Sequence, residues 1–327
     1  MFLEGIYICL RGKFTLKILK MKSKQLVTVL CLFVLTMGFA QDQEVSNIQE
    51  FTPSKLLRKG QWDIKFFNSI YTQTEQTDEG SESRTIDRQT FFTNTTEIFT
   101  GVSKNSRVNV GAVFQFRSNT LGGQGALDVF SFEDNGNDRR SGLTTIAPAI
   151  RVQPFRSLST FSFTTSFIIP VFEDKPDSVE DDVFSFLDQR SFAWETKFFY
   201  DHTFGGNKWQ IFTEVDFKYN FGEKSSDADG SQENLSERFA NNSLFLPLSA
   251  FLSYFPTSKS TVFVNAQQAF LIDLGNDFAQ NGTQLGFGGK YQLTKILNIE
   301  ASFGKFVRGD NFQGLGQTFS LGLRALF

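Results

Sequence analysis

The sequence predicts an all-β fold: a transmembrane up-and-down antiparallel β-barrel of about twelve strands. Three observations predict it. Apolar and polar residues alternate with a period of two through residues 60–327. The links between the alternating segments run short and long by turns. Phe supplies 41 of the 327 residues, yet only 40% of the chain is hydrophobic and 20% is charged. After residue 40 no apolar run approaches the ~18 residues that a membrane-spanning helix needs. That composition excludes a helical membrane protein, and its wealth of aromatics excludes a disordered chain.

The chain divides into three parts. Residues 1–40 read as a leader and signal peptide. Met21-Lys22-Ser23-Lys24 is a short basic start, Leu26 to Phe39 is an apolar stretch, and Gly38-Phe39-Ala40 offers small residues for cleavage after Ala40. Residues 1–20 read as an extension from an early start codon or a long basic leader, so the true start is Met1 or Met21. Both cysteines, Cys9 and Cys31, fall in this part. The exported chain therefore has no disulfide and no thiolate metal site. Removing residues 1–40 takes away six basic residues and one acidic residue, leaving 26 basic and 34 acidic and a net charge of −8. An acidic exported chain repels nucleic acid. Residues 41–59 form a periplasmic N-terminal segment, in which Ser54 to Lys59 can dock as a tail or fold into the lumen as a plug. The barrel occupies residues 60–327.

Twelve strands are expected near 60–72, 89–102, 106–118, 143–154, 160–171, 191–204, 208–221, 242–255, 260–272, 282–293, 296–306 and 316–327. The alternation is cleanest where Trp209, Ile211, Val215, Phe217 and Tyr219 oppose Gln210, Glu214, Asp216 and Lys218. It is equally clean where Phe319, Leu321, Leu323, Ala325 and Phe327 oppose Ser320, Gly322 and Arg324. Tight links at Ser103–Asn105, Phe155–Ser159, Gly205–Asn207, Pro256–Lys259 and Thr294–Lys295 alternate with long ones near 73–88, 119–142, 172–190, 222–241, 273–281 and 307–315. Such ordering sorts the links onto opposite ends of one meander. Pro148 and Pro247 lie within strands and lack a ladder donor, so each suggests a bulge or bend.

Barrel size decides which face is inside. About eight strands already enclose all the volume that side chains can fill. Twelve strands with an oily interior would leave a void, so the oily face points outward to lipid; a two-sheet soluble sandwich is the competing arrangement. Aromatics near strand ends suit two interfacial girdles. Trp62, Phe99, Phe161, Tyr200, Phe204, Trp209, Tyr254, Tyr291 and Phe327 belong to the short-turn side. Tyr71, Phe91, Phe116, Phe192 and Trp194 belong to the long-loop side.

A signal peptide, a cysteine-free exported chain, an even number of alternating strands and a last strand running Gln317 to Phe327 resemble a Gram-negative outer-membrane β-barrel. The length and shape are similar to the transporter barrels grouped with the phenol meta-degradation outer-membrane proteins. The resemblance implies the cell outer membrane as location, outer-membrane lipids as surroundings and the barrel-assembly machinery as partner. In that family the terminal aromatic strand is the assembly signal, a role that would fall here on Phe319, Leu321, Leu323 and Phe327.

With the wet faces inside, the lumen holds basic Lys65, Arg107, Arg117, Arg151, Lys197, Lys218, Lys290 and Arg324. It also holds acidic Asp63, Glu97, Glu195, Asp201, Glu214, Asp216 and Glu300. Two readings follow: these charges pair across strands and hold a narrow barrel shut, or they line a watery constriction that sorts small solutes. Phe67, Phe199, Phe212, Phe245, Phe251 and Phe263 also point inward, an apolar strip that suits a small amphipathic or aromatic molecule or merely fills space. The six long loops hold 24 acidic residues against 9 basic, a rim that concentrates cations. Glu133 to Asp138 and Glu180 to Asp182 offer carboxylates to Ca²⁺, but neither run has the full loop pattern, and they read as solvated acidic loops. No cofactor or metal is expected.

A hydrolase is not expected either. The one histidine, His202, shares a strand face with Tyr200 and Phe204 and reads as an interface residue, while Asp201 points the opposite way. The reading is a passive channel or transporter for small solutes, the alternative being a closed structural or surface-interaction barrel.

Overall fold

The computed structural model describes residues 54–134, 138–172, 186–222, 242–275 and 277–327. The leader, the cleavage site after Ala40, residues 41–53 and the acidic run Glu180 to Asp182 lie outside them. The strands are β1 (Trp62–Thr77), β2 (Ser83–Gly101), β3 (Val108–Thr120), β4 (Arg139–Val152), β5 (Phe161–Pro170) and β6 (Ala193–Phe204). They continue with β7 (Trp209–Asn220), β8 (Ser243–Thr257), β9 (Ser260–Asp273), β10 (Gln280–Gln292), β11 (Leu297–Asp310) and β12 (Gln317–Leu326). Each strand pairs antiparallel with its sequence neighbours, and β1 pairs with β12, which closes the barrel. Closure leaves no strand edge facing hydrocarbon. At the seam Trp62 and Phe327 exchange both backbone hydrogen bonds, at 3.1 and 2.9 Å.

The alternation maps onto the two faces as expected. Val262, Val264, Leu285, Phe287, Phe319 and Leu321 stand exposed on the outer wall. Asp63, Asn109, Asp201 and Gln210 are buried within. Four features differ from the sequence expectation. The first hairpin is far longer: β1 and β2 stay paired to Thr77 and Ser83, beyond a register shift between Gln73 and Glu75. The polar stretch Gln73–Thr77 has no oily alternation, yet its backbone ladder continues.

Second, neither strand proline makes a bulge. Register is the same on both sides of Pro148 in the β4–β5 pair and of Pro247 in the β7–β8 pair, and each ladder merely skips rungs there. The register shift in β4 lies instead opposite Gln115 and Phe116. Third, Phe99, Tyr71 and Phe91 leave the girdles for the lumen, since Phe99 stands opposite Asp63 and Phe91 opposite Tyr71. Adjacent apolar pairs such as Phe91-Phe92 and Ile98-Phe99 carry no parity in sequence, and only pairing with β1 settles it. Fourth, the link between β3 and β4 is not a simple solvated loop. A 3-10 turn, Asp128–Ser131, buries Val129 and sets Phe130 edge-on to Phe92 at 5.3 Å, while Phe132 meets Phe116 at 5.6 Å. Its Glu133 is held by Arg139 at 2.8 Å.

Candidate functional site: the lumen

Three pieces of chain outside the strands reach the barrel interior among the described residues; one of them, Gln313-Gly314 between β11 and β12, meets the lumen-facing Tyr71, whose hydroxyl lies 2.8 Å from the Gly314 carbonyl. At the short-turn end, Leu57 is buried in a cluster with Phe99, Ala149 and Leu326, against which Val113 packs. The backbone at Leu57 and Arg58 lies so close over Gly101 that a Cβ there would collide with it. Lys59 adds a parallel bridge to Gly101. Ser54–Lys59 therefore folds into the mouth against β2, β3, β4 and β12.

Toward the long-loop end, the segment before β6 also turns inward. Asn119 Nδ2 donates to the carbonyls of Phe186 and Leu187 at 2.6 and 2.9 Å, and Arg117 Nε lies 3.2 Å from Asp188 Oδ2. Leu187 and Asp188 are both buried. Asp188, expected on the acidic outer rim, is thus a lumen residue. Nothing local in Leu187-Asp188 signals this, because its partners lie on β3, about seventy positions earlier in the chain.

Every charged side chain read as lumenal sits on the inner face. Register sets most of them in opposed pairs. Lys65 Nζ meets Glu97 Oε2 at 2.8 Å, and Arg151 Nη2 approaches the same oxygen at 3.5 Å. Arg324 grips Asp63 with Nε at 2.8 Å and Nη2 at 2.9 Å. Lys290 meets Glu300 at 2.9 Å. Lys197 lies 3.5 Å from Glu195 and 3.7 Å from Asp216. Glu214 lies along the same inner face of β7, and Lys218 stands opposite Glu195 in register. Arg107 differs: its Nε and Nη2 are buried with no hydrogen-bond partner among the described residues. The guanidinium of Arg151 lies 4.4 Å over the Phe99 ring, joining the charged cluster to the Leu57 plug.

The opposite side of the lumen is aromatic. Phe199 stacks on Phe212 at 6.1 Å, Phe212 meets Phe251 at 5.6 Å, and Phe251 meets Phe263 at 5.7 Å. Lumen glycines make room for such rings: a Cβ at Gly322 would strike the Phe67 ring, and one at Gly288 would strike Phe263. A cavity of about 220 Å³ lies here, bounded by Phe67, Phe212, Phe251 and Phe263 together with Lys65, Lys290, Glu300 and Arg324. The plug and the inward segment hold chiefly to β2–β4, the plug also touching Leu326 of β12, whereas the cavity follows β7–β12 and β1. Among the described residues the plug and the inward segment therefore lie mainly beside β2–β4, and the cavity lies along the rest of the wall.

His202 lies on the outer face opposite Ile211, stacked beside Phe204 at 6.2 Å. Asp201 is buried on the inner face. His202 and Asp201 thus stand on opposite faces of β6. Among the outward aromatics, Trp209 packs on Tyr254 at 4.8 Å beside the short turns, where an interfacial belt is expected.

No family model matches the chain, and no curated protein matches it. Solved structures do. An outer membrane channel from Pseudomonas putida F1 is 10% identical with a TM-score of 0.57, over 84% of this chain and 98% of that one. The β domain of the Bordetella autotransporter BrkA is 12% identical with a TM-score of 0.51, over 81% of this chain and 99% of that one. At such identities the likeness is one of fold. With its closed antiparallel sheet, oily outer wall and charged interior, this chain shares the β-barrel fold of these outer-membrane proteins.

Proposed function

We infer that the barrel is a passive channel for small solutes in the outer membrane of a Gram-negative bacterium, reached by export and signal-peptide cleavage near Ala40. The observation that carries this reading is the one-sided filling of the lumen. Residues 54–59 and 186–188 pack mainly against β2–β4, while the cavity of about 220 Å³ along β7–β12 and β1 keeps both aromatic and charged walls. A barrel built only to be shut would be filled on that side too. The similar fold of a Pseudomonas putida outer membrane channel supports the reading.

The paired charges favour a second reading, a closed barrel that displays its loops. In both readings Phe319, Leu321, Leu323 and Phe327 serve as the signal for the barrel-assembly machinery. Single-channel recording in planar bilayers separates the two. Discrete conductance steps from the purified, folded barrel are expected; silence from a preparation that is folded by gel shift overturns the channel in favour of the closed barrel.

A further inference from the structure

We propose that the lumen cavity is a binding site for a single-ring aromatic carboxylate, an inference that rests on the channel reading and names the solute class for it. Volume comes first. An apolar cavity of ~150 Å³ holds benzene, so about 220 Å³ holds one ring and a small head group.

The walls select the ring. Phe212, Phe251 and Phe263 form one contiguous aromatic strip, with centroid spacings of 5.6 and 5.7 Å. Aromatic pairs at such spacings gain ~0.5–1.5 kcal/mol beyond area burial, and a bound ring extends the strip. Flat rings fit this wall better than branched chains, because Gly288 lets the Phe263 ring lie against the barrel wall.

The N–H donors of Lys290 select the head group. Three cations and one carboxylate, Lys65, Lys290, Arg324 and Glu300, border the cavity. Lys290 carries three N–H donors and gives one to Glu300 at 2.9 Å. Its Nζ lies 5.9 Å from the Phe263 ring centroid, and its side chain is the most open of these, at 38% exposed against 16% for Lys65 and 17% for Arg324. A carboxylate attached to a ring on the strip meets Lys290 first. The acidic rim opposes such an anion only within a Debye length, ~10 Å at 0.1 M salt, and the cavity lies toward the opposite end, beside the short turns.

The test is equilibrium dialysis of radiolabelled benzoate against the exported full-length barrel folded in detergent, with conductance measured on the same preparation. Saturable benzoate binding is expected, competed by unlabelled benzoate but not by acetate or benzylamine. Lys290→Gln should weaken it about tenfold, and Phe251→Leu, which keeps the wall apolar without the ring, should weaken benzoate as well. A barrel that conducts but binds no benzoate overturns the proposal and leaves the channel standing. Equal competition by acetate removes the ring site, and stronger competition by benzylamine reverses the sign of the head group. A silent barrel that binds benzoate refutes the channel and keeps the site.

Discussion

Asp63 on the first strand and Arg324 on the last form a two-pronged ion pair, 2.8 and 2.9 Å, across the seam where the barrel closes. Asp63 is 1% exposed. Breaking a buried pair leaves a stranded charge and costs ~3–5 kcal/mol. Arg324→Leu should therefore lower the temperature at which the folded band is lost on an unheated gel. The double change Asp63→Leu with Arg324→Leu should recover most of the loss, because it strands no charge. An unchanged melting temperature for Arg324→Leu would show that the pair contributes nothing to closure.

The N-terminal plug makes a prediction about conductance. Leu57 is the apolar anchor that holds residues 54–59 against Phe99, Ala149 and Leu326. Burying a Leu side chain stabilises by ~1.5–3 kcal/mol, enough to keep the segment docked most of the time. Leu57→Asp should expel it, and the open-channel current should rise about twofold or more. Removing residues 41–59 should raise it at least as much. Equal currents from wild type and both variants would mean that the segment does not obstruct the path.

How much of this was legible beforehand differs by element. The strands β7 and β12 stand out because the outer face of each carries an apolar row, Trp209, Ile211, Val215, Phe217 and Tyr219 on one and Phe319, Leu321, Leu323, Ala325 and Phe327 on the other. The far ends of β1 and β2 were not legible, because Gln73–Thr77 and Ser83–Thr85 are polar throughout and the chain that covers Thr77 and Glu75, Phe312 to Leu315, lies more than two hundred positions away. Lumen charges were readable by parity, but their pairing needed the register that sets Lys65 opposite Glu97 and Lys290 opposite Glu300. Leu57 was legible only as one of two options, tail or lumen plug, and Asp188 not at all as a lumen residue: each lies in irregular chain, and its partners are tens to hundreds of positions away.

The inward segment can be tracked with an introduced thiol, since Cys9 and Cys31, the two cysteines of the sequence, both lie before residue 41. Leu187→Cys places that thiol at a buried site. It should react slowly with a membrane-impermeant maleimide added to whole cells. Adding Asn119→Ala removes the donor to the Phe186 and Leu187 carbonyls, worth ~1 kcal/mol net per hydrogen bond. Labelling should then speed up several-fold. Fast labelling without the Asn119 change would place the segment outside the lumen.

The lipid-facing assignment has its sharpest test on adjacent residues of β9. Val264 is 56% exposed on the outer wall, while Asn265 faces inward opposite Phe251 and Gly286. Arg on the lipid face near the bilayer midplane costs ~2–4 kcal/mol, whereas lumen positions accept charge. Val264→Arg should lower unfolding free energy in lipid vesicles by about that amount and reduce the yield of folded barrel. Asn265→Arg, one residue along, should fold with near-normal yield and change the conductance instead. The period of two requires the two neighbours to behave oppositely. If Asn265→Arg is the more damaging to folding while Val264→Arg is silent, the oily face encloses the axis and the membrane barrel is inside out.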